Sequence, residues 1–168
     1  IIATIIPEVI GWIIGGISGY FGGVLDMVIM RIIDILMGIP SMIFTILLMV
    51  VMGAGNMWTL VLAFSITGWL GSARYTRGRV LQLKAMEYVM AAKTLGASPM
   101  RIIIQHLIPN TLNISVISIA MGIPSVIFGE AFFSYIGLGI APPNPSWGQM
   151  IKTAGTVFME YPYQFVFP

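Results

Sequence analysis

The chain has 168 residues, 58% of them hydrophobic and only 8% charged, with eight Lys or Arg against six Asp or Glu. A soluble domain carries about 25% charged residues, so this composition cannot cover a water-borne globule and reads as an integral membrane protein. The net charge of +2 comes from clustered bases and not from a cationic face, which argues against nucleic acid, and the lack of cysteine excludes disulfides and thiolate metal sites.

A helix needs about 20 apolar residues to cross the hydrocarbon core. The first predicted crossing is 1–20, with Glu8 near one end or facing protein. Residues 21–34 carry Gly22, Gly23, Asp26, Arg31 and Asp34 and predict an interfacial stretch, in which Arg31 and Asp34 stand three apart and pair. A second crossing is predicted over 35–54, with Pro40 bending or restarting it, and a third over 57–73. The fourth, 108–133, is interrupted at Gly122 and Pro124. Residues 137–148 hold three prolines and three glycines with no helical period and predict an ordered loop, after which a further helix begins at Gln149. Ile1 lies inside an apolar run, with no basic leader or cleavage site, so the chain reads as a piece of a longer membrane protein.

Between the third and fourth crossings, residues 74–107 hold Arg74, Arg77, Arg79, Lys84, Lys93 and Arg101 against the single acid Glu87. Basic loops stay in the cytoplasm, so this loop and 21–34 are assigned inside. The 54–56 turn and the 137–148 loop, which lack Lys and Arg, are assigned outside. Residues 82–95 are mostly helix formers, and Leu81, Ala85, Tyr88, Ala92 and Leu95 recur as one apolar stripe. Gly96 supplies a left-handed stop, Ser98 an N-cap and Pro99 a first helical residue. A second helix then runs to Pro109. The prediction is helix, tight turn, helix, with Ala91 and Ala92 leaving a low-relief surface beside Gly96. On spacing alone, a docking element and an amphipathic interfacial loop fit equally well.

This segment resembles the EAA loop of ABC importer permeases, the binding-protein-dependent inner-membrane components. That signature has Glu-Ala-Ala, a Gly four residues after the second Ala, and a closing Leu-Pro. Ala91-Ala92, Gly96 and Ile108-Pro109 match, while Met90 replaces the general Glu. The Glu-Tyr-Val-x-Ala-Ala form, Glu87 to Ala92, is similar to the oligopeptide and dipeptide branch, as are His106 and Asn110. So are Gly19-Tyr20-Phe21-Gly22-Gly23, Asp26, Met30-Arg31, Asp34, Trp69, Ala73-Arg74 and Arg77-Gly78. The same holds for Glu130-Ala131, Ser134, Gly137-Leu138-Gly139, Pro142-Pro143 and Pro145-Ser146-Trp147-Gly148.

The resemblance implies an all-α polytopic transmembrane bundle of the permease type, lacking the first and last family helices and forming a single domain over 1–168. It implies a multi-pass subunit of the inner or plasma membrane that forms half of a pathway for di- or oligopeptides. The expected partners are two ATP-binding-cassette ATPase subunits, a second related permease and an extracytoplasmic substrate-binding protein. It places ATPase docking on Glu87, Tyr88, Ala91, Ala92, Gly96, Ala97, Ser98 and Pro109. ATP and Mg belong to the ATPase, and this chain is expected to bind no cofactor. Consistently, none of Lys84, Lys93 or Lys152 follows a glycine, so no phosphate-binding loop is present and the subunit is not itself an enzyme.

Glu130 near the outer end of the fourth crossing is a functional candidate as an intramembrane acid. A hydrogen bond fastening the outer loop is the favoured role. Pro143 and Trp147, in the outer loop, fit either an outer gate or a rigid hairpin. His106 has no Cys or carboxylate cluster and reads as packing at the loop's exit, not as a metal ligand. Most of the four tryptophans are expected in interfacial belts, and the 13 methionines as apolar filling. Import of nickel or another small solute shares these motifs. An ATPase-independent secondary transporter would need coupling-ion residues at the midplane, and a purely structural subunit would need no docking loop.

Overall fold

The computed structural model describes residues 1–141, 143–144 and 146–166, apart from the side chains of Asn113 and Ile114. Pro142 and Pro145 of the expected outer loop therefore lie outside the described residues. In chain order the helices are α1 (Ile2–Phe21), α2 (Gly23–Met37), α3 (Ser41–Met52), α4 (Met57–Leu83), α5 (Glu87–Thr94) and α6 (Pro99–Ile102). A π turn (Ile103–Leu107) and a 3-10 turn (Pro109–Thr111) lead into α7 (Leu112–Tyr135), followed by α8 (Trp147–Thr156) and α9 (Tyr163–Val166). The fold is all-α, and among the described residues an isolated backbone bridge joins Gly55 to Ile140.

α1 lies against α4 over most of its length because Gly11, Gly15 and Gly19 form one small-residue ridge at four-residue spacing. A Cβ at Gly19 would stand 2.9 Å from the Arg77 carbonyl oxygen, and one at Gly15 would overlap the Ala73 carbonyl. At the same face Ser72 Oγ donates to Glu8 Oε2 at 2.7 Å, so Glu8 faces protein. Trp12 Nε1 donates to Ser115 Oγ at 2.9 Å and joins α1 to α7. Trp12 is thus an internal fastener and not part of an aromatic belt.

α1 and residues 115–135 of α7 are each long and apolar enough to cross a membrane. α2 and α3 pass the same test only as a pair, and that pair is bent by 84°. The bend falls at Gly38–Pro40, where Pro40 caps α3, so the expected span over 35–54 is divided. α3 alone has 12 residues, about 18 Å at 1.5 Å per residue, against a core of about 30 Å.

Three other expectations change. α4 does not end at 73: capped by Asn56, whose side chain accepts from the Trp58 amide at 2.9 Å, it continues to Leu83 and carries Arg74, Arg77 and Arg79 on its last turns. Arg and Leu are good helix formers, and no proline interrupts the run. α7 passes through Gly122 and Pro124 without a break. Pro124 forfeits one backbone bond, and the remaining ladder carries the helix through. Asp34 pairs with Arg74 of α4 and not with Arg31, because α4 brings a guanidinium across from α2; the second ion pair is Asp26 with Arg77. Among the described residues Arg31 forms no ion pair.

Candidate functional site

The segment between α4 and α7 is a small folded unit. Val80 and Leu83 at the end of α4, Val89 of α5, Ile102 of α6, and Ile103 and Leu107 of the π turn form its buried core. Ile17 and Tyr20 of α1 pack against that core, so the unit rests on the α1–α4 pair. Full burial of a side chain such as Ile102 contributes about 1.5–3 kcal/mol.

Its turn is built as the local sequence dictates. The Ala97 amide donates to the Ala92 carbonyl at 3.0 Å, and the Gly96 amide to the Lys93 carbonyl at 3.1 Å. These are the two bonds of a Schellman stop. Gly96 has φ 81°, and a Cβ there would meet nothing within 4 Å. Ser98 then caps α6, its Oγ accepting from the Arg101 amide, with Pro99 at the first helical position. Ala92 and Ala97 pack against the core, as a Schellman motif's flanking apolar contact requires.

The predicted apolar stripe fails. α4 ends at Leu83, and Lys84–Met86 form a turn, so helical phase is lost before α5 begins at Glu87. Val89 is the buried anchor, 3% exposed, while Leu95 at the apex is 88% exposed and Tyr88 is exposed too. Met86, Met90 and Met100 also stand out from the unit. Of the docking residues expected from the sequence, Glu87, Tyr88, Ala91, Gly96 and Ser98 are exposed on α5 and the turn, and Ala92 and Ala97 half-buried. Pro109 is exposed but sits at the far end of the π turn, away from the tip. His106 lies beside Tyr88, ring centroids 6.5 Å apart, and its carbonyl accepts from Asn110 Nδ2 at 2.6 Å. It packs at the exit of the loop. Leu95, Met90 and Met100 were missed as surface residues; the position of Leu95 immediately before a glycine stop was the one available signal.

At the other end of the bundle a hydroxyl relay joins α7 to α8. Ser134 Oγ donates to Glu130 Oε1 at 2.6 Å and lies 3.3 Å from Ser146 Oγ, which caps α8 by accepting from the Gln149 amide at 3.1 Å. A Cβ at Gly148 would stand 2.6 Å from the Ala131 carbonyl oxygen, so α8 starts directly on α7. Glu130 and Trp147 line a shared cavity of about 380 Å³ with Met57, Leu60 and Val126. Pro143 is exposed in the intervening loop. The Ala141 amide donates to the Gly55 carbonyl at 2.9 Å, fastening this loop to the α3–α4 turn. Among the described residues no group of three His, Cys, Asp or Glu stands ready to hold a metal.

Residues 10–163 match the family described as the binding-protein-dependent transport system inner membrane component. The chain belongs to this family. It is 44% identical over 166 residues to the oligopeptide transport system permease protein OppC of Bacillus subtilis (strain 168), covering 99% of this chain and 54% of that protein. Against the dipeptide transport system permease protein DppC of the same organism, identity is 44% over 169 residues, with 100% and 52% covered. For DppC of Lactococcus lactis subsp. cremoris (strain MG1363) it is 39%, with 99% and 48% covered. The chain thus spans about half the length of the curated relatives it matches. Family membership and two apolar helices of crossing length place this permease-family chain in a membrane.

Proposed function

We propose that this chain is part of a permease subunit of an ATP-driven importer for di- or oligopeptides. The observation that carries the reading is the α5–Gly96–α6 unit, folded on its own core yet displaying Leu95 and its neighbours to solvent. An apolar apex on a charged loop calls for a protein partner. The relatives are named for oligopeptide and dipeptide transport, which favours peptides over nickel or another solute. In this reading the loop lies in the cytoplasm and docks in an ATPase subunit, two of which close on ATP. A related permease completes the pathway, and a binding protein delivers substrate outside. The subunit binds no nucleotide and hydrolyses none. The acids Glu8 and Glu130 are each engaged by a serine hydroxyl, which suits helix fastening better than a coupling-ion relay.

Gly96→Asp tests the docking. Asp tolerates the left-handed basin better than most residues, and the site is sterically open within this chain. Expression and membrane insertion of the intact subunit are therefore expected to persist, while co-purification of the ATPase and ATP-dependent uptake of labelled peptide are lost. Undiminished ATPase co-purification with Gly96→Asp would sink the docking reading.

A further inference from the structure

Gly22 and Gly23, with φ of 66° and 58°, turn α1 into α2. A two-glycine turn has no side chain to stiffen it, so the angle between these helices is set by contacts beyond the turn. Those contacts converge on Asp26 in the first turn of α2. Its carboxylate accepts from Ser18 Oγ of α1 and, through both oxygens, from Arg77 Nε and Nη2 of α4. The Asp26 side chain is 13% exposed and that of Arg77 30%. Further along, Lys84 Nζ donates to the Gly19 carbonyl at 2.9 Å, meeting an otherwise orphan acceptor in the last turn of α1. Lys84 caps α4, and α5 starts almost at once, at Glu87.

The mechanical consequence follows from what is rigid and what is not. α1 and α4 are locked backbone to backbone by the glycine ridge, so they move together. α2 hangs from them by the two-glycine turn and leads through the 84° elbow into α3. We propose that Asp26 and Arg77 are positioning residues that transmit displacement of the α1–α4 pair, and of the α5–α6 loop resting on it, to α2 and α3, and so set how much peptide moves per ATP hydrolysed. The proposal rests on the importer reading above. A bidentate guanidinium–carboxylate pair is strong and geometrically specific, so it acts as a stiff link between α4 and α2.

The test uses the intact importer, with its ATPases and binding protein, reconstituted in proteoliposomes. Peptide taken up per ATP hydrolysed is the readout, since a merely structural loss of assembled complex lowers both quantities together. Asp26→Asn is expected to lower that ratio about three- to thirtyfold while the ATPases still co-purify. Arg77→Lys keeps the positive charge but loses the two-point contact with Asp26, and is expected to lower the ratio at least about twofold. An assembled Asp26→Asn complex with the unsubstituted ratio overturns the proposal. If Asp26→Asn does not assemble, Arg77→Lys decides alone, and an unchanged ratio there overturns the proposal. Failure of the importer reading itself shows earlier, as no ATP-dependent import by the unsubstituted complex.

Discussion

Leu95 is 88% exposed at the apex of the loop, and its neighbour Gly96 holds a φ of 81° with open space where a Cβ would stand. These two facts separate folding from docking at single residues. Leu95→Ala removes a side chain that is 88% exposed, so the melting temperature of the solubilised subunit should hardly move, within about 0.5 kcal/mol of stability. The same change should weaken ATPase binding about tenfold or more if Leu95 fills a pocket on the partner. A thermal melt of the unsubstituted and Leu95→Ala subunits checks the first half, and titration of the ATPase against each checks the second. Gly96→Ala costs roughly 1–2 kcal/mol of local strain, because the open space around it adds no clash. The Schellman turn and the Ser98–Pro99 cap were legible in the sequence because every group involved lies within a few residues of its partner. The outward turn of Leu95 was not, because it depends on where α4 stops.

At the scale of elements, the same distinction explains the other corrections. A period extrapolated through Lys84–Met86 puts Leu81, Ala85, Tyr88 and Leu95 on one face, and the turn there destroys that phase. Arg31 and Asp34 look like a pair along one helix, yet a guanidinium from α4 captures Asp34, and nothing in the local sequence announces which helix lies alongside. The α1–α4 packing sits between these cases. Gly11, Gly15 and Gly19 signal a close approach by their spacing, but only the fold says that α4 is the partner. Gly15→Leu should abolish it: the Cβ alone overlaps the Ala73 carbonyl, and overpacking costs 1–3 kcal/mol or more. The expected result is aggregated subunit on size-exclusion chromatography in detergent. Gly71→Ala on α4 is the matched control. Nothing lies within 4 Å of its Cβ, so it should be neutral or stabilise the helix by about 0.5–1 kcal/mol.

For the whole molecule, composition alone gave the membrane class, since 8% charged residues leave no other solvent for the surface. The count of crossings is less direct, because α2 and α3 share one apolar stretch around an 84° bend, and α4, expected to cross over 57–73, is not among the described helices apolar enough to cross. The importer reading makes a definite topological prediction. This chain has no cysteine, so single cysteines at Leu95 and Asn144 can be labelled one at a time in the intact subunit with its other cysteines removed. A membrane-impermeant maleimide added to whole cells should label Asn144→Cys at once and Leu95→Cys only after permeabilisation. Labelling of both from outside would overturn the assignment of sides.

The hydrogen bond from the Ala141 amide to the Gly55 carbonyl gives the far end of the bundle a natural reporter. A ladder of strand bonds opens cooperatively and rarely, whereas an isolated bridge opens whenever its two loops part. Deuterium uptake at that one amide therefore clocks the separation of the α3–α4 turn from the α7–α8 loop. Followed during turnover, it would time the parting of these two surfaces without any probe being attached.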